Sequence, residues 1–138
     1  MNTLTLNEIE KILDSGIFYL ATKGTCGNPR LRPMKSNIVH NNKLYFGTSC
    51  SKNLYKHISQ FPGVEICIST PDVMWLRIRG EARIVNHLDV KEVLMKKYPR
   101  IQGVFGDNTS DTDYAVFYLE NVSAKLQDFS GGSLDYKD

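Results

Sequence analysis

Residues Met74 to Val85 read MWLRIRGEARIV. Met74, Leu76, Ile78, Gly80, Ala82 and Ile84 fall on one side of a period of two; Trp75, Arg77, Arg79, Glu81 and Arg83 fall on the other. Alternation sustained over this length predicts a long strand with one apolar and one charged face. The charged face has two readings. It is either a solvated surface carrying cross-strand ion pairs, or, with a tryptophan at its end, a surface that meets a ligand or a second subunit.

The segments around this strand carry the same pattern in shorter form. Ile17 to Thr22 (IFYLAT) is aromatic and branched, and Val64 to Thr70 sets Val64, Ile66 and Ile68 against Glu65, Cys67 and Ser69. Arg30 to His40 reads as one strand whose Pro33 removes a ladder donor and marks an edge or a bulge. Asn41-Asn42 is a hairpin signal leading into Lys43 to Gly47. Tyr114 to Leu119 and Ala124 to Phe129 read as two final strands.

Three helices are expected. Thr5 and Glu8 have capping-box spacing before Leu6, Ile9, Ile12 and Leu13, and Gly16 ends the run. Ser51 to Phe61 places Leu54, Ile58 and Phe61 on one stripe. Asn86 to Tyr98 places Val90, Val93, Leu94 and Lys97 on one side, and Ile101 to Thr112 reads as loop or a short helical turn. Short connections favour antiparallel pairing, and strands interspersed with helices suggest a closed or nearly closed barrel.

The chain has 138 residues, which predicts one domain over residues 1–138, with a polar tail from about residue 130. The SLDYKD tail is expected to fray, and its DYKD ending matches the start of a common epitope tag. Net charge is +2, from 17 basic and 15 acidic residues, which disfavours a dedicated nucleic-acid binder and requires any basic site to be local. Cys26, Cys50 and Cys67 are widely spaced, with no CxxC and no metal-ligand pattern. With no signal pattern and no apolar run approaching about 18 residues, a cytoplasmic protein without membrane spans is expected.

Two stretches suggest chemistry. GTSCSKN (Gly47 to Asn53) lies between a strand and a helix. Backbone N–H groups at the helix start, the hydroxyls of Thr48, Ser49 and Ser51, and the Lys52 ammonium would suit an anion. The plainer alternative is a serine N-cap beside a solvated lysine. RLRPMK (Arg30 to Lys35) puts Arg30 and Arg32 on one strand face, which suits phosphate or carboxylate recognition. Its plainer alternative is an edge strand guarded by charge. Because one hairpin joins the two stretches, their convergence on one rim is expected. Cys50 lacks a placed base and reads as structural or incidental, and His57, in mid-helix, reads as a surface residue. Neither a Walker A loop nor a GxSxG motif is present.

In the order FYLAT, NPRLRPM, LYFGTS, SKN and WLRIRGEARIV, the chain resembles the pyridoxamine 5'-phosphate oxidase-like family of FMN-binding split β-barrels, over roughly Leu4 to Phe129. The resemblance implies a mainly β fold with flanking helices, a six-stranded antiparallel split β-barrel, and a homodimer with FMN at the interface. It places Arg32 at the FMN phosphate or ribityl chain and Pro33 and Met34 along the isoalloxazine ring. Thr48 and Ser49 would border the flavin, Ser51 and Lys52 would hold the phosphate, and Trp75 and Arg77 would lie near the cofactor or interface. The longer oxidases carry a C-terminal extension with tryptophan and arginine that has no counterpart here, which argues against pyridoxamine phosphate as substrate. The function implied is an FMN-dependent oxidoreductase, with a nicotinamide as possible electron donor. The alternative is a flavin- or haem-binding module without turnover.

Overall fold

The computed structural model describes residues 3–101 and 113–138. The expected loop or turn over Ile101 to Thr112 lies, apart from Ile101, outside them. In chain order the elements are α1 (Leu6–Asp14), β1 (Phe18–Lys23), β2 (Pro29–Met34), β3 (Asn37–His40), β4 (Lys43–Ser49), α2 (Asn53–Gln60), β5 (Gly63–Ser69), β6 (Met74–Val85), α3 (Leu88–Lys97), β7 (Tyr114–Asp128) and β8 (Ser133–Lys137).

The α1 capping box forms as the sequence predicts. The Glu8 N–H donates to Thr5 Oγ1 at 3.1 Å, and the Thr5 N–H donates to Glu8 Oε1 at 3.0 Å. Thr5→Ala is expected to cost about 1 kcal/mol of stability, readable as a lower urea midpoint with an unchanged slope. The apolar stripe of α1 then buries Leu6, Ile9 and Leu13.

Among the described residues eight strands join one antiparallel sheet, ordered β2-β1-β5-β6-β7-β4-β3, with β8 added beside β7. The β6 alternation holds: Leu76, Ile78 and Ala82 are buried, while Arg77 and Arg79 are exposed. At Asn41-Asn42 both residues take left-handed φ (50° and 59°), which asparagine tolerates and a tight hairpin requires. Gly80 marks the register shift between β6 and β7. A Cβ there would stand 3.1 Å from the Glu120 carbonyl oxygen, a tighter contact than most Cβ atoms make, so the β7 backbone would have to give by a few tenths of an ångström.

Three expectations about the strands are corrected. The single strand expected over Arg30–His40 is two, β2 and β3, at opposite edges of the sheet. Lys35 and Ser36 carry the chain across, and the Lys35 ammonium donates to the carbonyls of Leu13, Asp14 and Gly16 at the end of α1. The two final strands expected are one continuous β7, bent near Asn121 with its φ of 51°. The tail expected to fray forms β8, paired through Ser133–Lys137 with β7.

The sheet therefore curls without closing: among the described residues β2 and β3 do not pair, and the barrel is split between them. The main core fills the curl with Phe18, Leu20, Phe46, Ile66, Leu76, Ile78 and Phe117, and α1 and α2 cover it. A smaller cluster seats α3 through Val90, Leu94 and Met95 against Tyr45, Tyr114 and Val116. Among the described residues no helix is long and apolar enough to cross a membrane.

Candidate functional site

The split leaves an open cleft of about 1320 Å³, wider than the enclosed pockets usual for small ligands. Its walls come from β2 and the β2–β3 crossing on one side, and from the end of β4 and the start of α2 on the other. Arg32, Pro33, Met34, Thr48, Ser49, Ser51 and Lys52 all line it. The two stretches singled out in the sequence thus converge. Cys50 does not line the cleft, and Trp75 and Arg77 do not line it within this chain.

The corner between β4 and α2 is polar. Ser49 and Ser51 share a hydrogen bond between their hydroxyls at 2.8 Å, and the Ser51 N–H donates to Ser49 Oγ at 3.3 Å. Lys52 is the N-cap of α2 and supplies no side-chain cap; the Tyr55 N–H donates to the Lys52 carbonyl at 3.2 Å, which leaves the Asn53 and Leu54 N–H groups at the helix start for another acceptor. Lys52 is exposed, and its ammonium has no partner among the described residues. Thr48 is only 8% exposed, yet its hydroxyl makes no hydrogen bond among the described residues. A buried hydroxyl without a partner carries a desolvation cost of about 1–3 kcal/mol that a bound acceptor would relieve. Gly47 keeps the β4 wall low, since a Cβ there would stand 3.1 Å from the Tyr114 hydroxyl oxygen.

On the β2 side the alternation turns Arg30, Arg32 and Met34 toward Thr22, Leu20 and Phe18, their partners across β1. Arg32 Nη1 donates to Thr22 Oγ1 at 2.8 Å and to the Leu20 carbonyl at 3.2 Å, and Nη2 reaches His57 Nδ1 at 3.1 Å. Thr22 Oγ1 and His57 Nδ1 are themselves 2.9 Å apart. Burial, followed by the like charge of Arg30, lowers the Arg32 guanidinium from its ordinary value. Arg30 and Arg100 add positive charge along the walls, and Asp113 adds a negative one. Near Arg30 the exposed thiol of Cys26 is held below its usual value by the Asn28 backbone N–H and then by the Arg30 guanidinium.

His57 is the main residue the sequence reading missed. Instead of lying on the surface it is 6% exposed and lines the cleft. The signal was present: Leu54, His57, Ile58 and Phe61 follow one helical stripe, so the ring belongs to the packed face. Burial lowers its pKa, and the positive charges of Arg32 and Arg30 lower it further. Thr22, Tyr114 and Arg100 were also not singled out as site residues. Each lies outside the two stretches, and no local pattern in the sequence marks them.

Trp75 and Arg77 stand on the outer face of the sheet. The Trp75 ring lies 4.8 Å from that of Phe129, and Arg77 Nη2 donates to Gln127 Oε1 at 3.2 Å. That face also exposes Tyr19 (48%), Leu31 (69%) and Phe129 (81%).

An unclosed antiparallel sheet with a basic, hydroxyl-rich cleft at its split defines a split-barrel protein. The chain belongs to the pyridoxamine 5'-phosphate oxidase family, whose model matches residues 6–127. Among similar solved structures is a NimC/NimA family protein from Clostridium acetobutylicum, 25% identical with a TM-score of 0.86, the match covering 98% of this chain and 96% of that one. A pyridoxamine 5'-phosphate oxidase-related, FMN-binding protein from Nostoc punctiforme is 16% identical with a TM-score of 0.61, over 96% and 92% of the two chains. A haem-binding protein from Mycobacterium smegmatis shares the fold at 14% identity and a TM-score of 0.66, over 90% of this chain and 53% of that one. No curated protein sequence matches the chain.

Proposed function

We propose that the cleft binds FMN and that the protein is an FMN-dependent oxidoreductase acting on a small molecule. The observation that carries this reading is the β4–α2 corner. There the Thr48 hydroxyl and the Lys52 ammonium, neither with a partner among the described residues, and the Ser49–Ser51 hydroxyl pair meet a helix start that no side chain caps. These are donors for a phosphate, and they fit the group. Pro33 and Met34 on the facing wall offer an apolar surface and backbone groups for a flat ring. Bound FMN would supply the redox chemistry, while the protein supplies binding, orientation and electrostatics.

The width of the cleft and the exposed apolar outer face support a homodimer in which a second copy covers part of the cofactor. Trp75 and Arg77 would then serve the cofactor or the interface from that face. Sedimentation at micromolar concentration checks this, and a monomer under those conditions would contradict it.

The test of binding is the visible spectrum of the protein purified or mixed with FMN and freed of excess ligand. Retained flavin absorbance supports the reading, and a colourless protein opposes it. The test of turnover is anaerobic mixing of the flavin-loaded protein with NADH or NADPH: bleaching indicates reduction by a nicotinamide. The haem-binding structural neighbour favours a second reading, a cofactor-holding module without turnover. Flavin that neither nucleotide bleaches, or a haem spectrum in place of the flavin one, would favour that module.

A further inference from the structure

The Arg32 guanidinium has five N–H donors in a planar fork. Both Nη1 protons are used, on Thr22 Oγ1 and the Leu20 carbonyl, and one Nη2 proton is used on His57 Nδ1. The 2.9 Å pair of Thr22 Oγ1 and His57 Nδ1 therefore faces the terminal edge of the fork. The Nε–H and the second Nη2 proton have no partner among the described residues, and they lie along the other edge. That edge is the one able to hold an oxyanion by two parallel hydrogen bonds.

We propose that His57 and Thr22 are a positioning pair: they dock the terminal edge of the Arg32 guanidinium and so present its Nε–Nη2 edge to an oxyanion, the ligand's phosphate, in the cleft. The inference rests on the FMN reading above and deepens it.

The choice of histidine follows from the hydrogen bonds. Nδ1 faces a donor from Arg32, so it must be an acceptor, which makes the ring neutral with its proton on Nε2; the tautomer is assigned from this network. The Thr22 hydroxyl accepts from Arg32 and turns its own proton toward Nδ1. The charged groups that act on the ring, Arg32 and Arg30 of β2, are both positive and keep it neutral, as burial does. A carboxylate in this place would also dock Arg32, but it would cancel the charge that attracts the anion. A neutral acceptor fixes the guanidinium and leaves its full charge for the phosphate. An apolar side chain would fill the space and leave the guanidinium free to swing.

A purely structural alternative is that the three residues only pin α2 to β1. Comparing FMN with riboflavin, which lacks the phosphate, separates the two. In His57→Leu the preference for FMN over riboflavin is expected to fall about tenfold or more, with riboflavin affinity within about twofold of wild type. His57→Gln offers a neutral amide oxygen and is expected to restore most of the preference. Equal losses for both flavins, or no loss for either, would overturn the inference while leaving FMN binding intact. A wild-type protein that binds both flavins equally would overturn the phosphate reading and this inference with it. If His57→Leu does not fold, nitrogen NMR of the wild-type imidazole serves instead. The expected result is a neutral Nε2–H ring that titrates below the ordinary histidine pKa of about 6.5, whose signals move with FMN and not with riboflavin. An imidazolium or an Nδ1–H ring would contradict the proposal.

Discussion

The Arg32→Ala/Lys52→Ala double variant is expected to bind FMN about 10²–10⁴-fold more weakly than wild type. The magnitude follows from losing two charge-assisted hydrogen bonds to phosphate, each worth about 1.5–3 kcal/mol, with about 1.4 kcal/mol per tenfold. The two residues reach the cleft from opposite walls but address the same phosphate, so full additivity of the two losses sets the upper end of this range. Their side effects differ. Lys52 is exposed and its ammonium has no partner among the described residues, so Lys52→Ala should leave the urea midpoint unchanged. Arg32 is tied to Leu20, Thr22 and His57, so Arg32→Ala should also lower stability. Quenching of flavin fluorescence gives the affinities, and denaturation gives the control. Affinity within threefold of wild type in the double variant would refute the assignment of the phosphate end.

The second large effect concerns the core beneath the site. Phe117 is fully buried on β7 and stacks on Phe46 of β4, with ring centroids 5.3 Å apart and planes 25° from parallel. Phe46 in turn meets the edge of Phe18 of β1 at 5.7 Å. This aromatic column spans the inside of the curled sheet and supports β4 just before Gly47 and Thr48. Phe117→Ala removes a ring that its neighbours cannot replace, so it is expected to cost about 3–5 kcal/mol. That is a large share of the 5–15 kcal/mol typical of a domain. Phe129→Ala, by contrast, removes a ring that is 81% exposed and should shift monomer stability by less than about 0.5 kcal/mol. A loss under about 1 kcal/mol for Phe117→Ala would mean that the column does not hold the sheet.

Strands with one apolar face were legible in the sequence because burial imposes a period of two, as along Met74 to Val85. The Asn41-Asn42 hairpin was legible because left-handed backbone favours asparagine. The break at Lys35 and Ser36 was not. What fixes it is the Lys35 ammonium on the last carbonyls of α1, a contact across the fold with no local pattern. Continuity of β7 was hidden for a related reason. Glu120, Asn121 and Val122 look like a turn, but β6 pairs with Glu120 on one side of Asn121-Val122 and with Ser123 on the other, and carries the strand through one left-handed residue. The tail from Ser133 is polar and still forms β8, because backbone ladder bonds to β7 do not depend on side-chain pattern.

The site divides in the same way. Thr48, Ser49, Ser51 and Lys52 were legible because they are adjacent in sequence at a strand-to-helix corner, and Arg32 because it alternates with Arg30. His57 was hidden by its polarity. It sits on the apolar stripe of α2, and only the neighbouring Arg32 and Thr22 explain why a buried histidine is stable there.

Titration of the ligand-free protein with FMN, followed by quenching of flavin fluorescence, tests the central claim most directly. The expected result is saturable quenching at one FMN per chain. Fluorescence that stays at the level of free FMN, up to concentrations well above that of the protein, would contradict it.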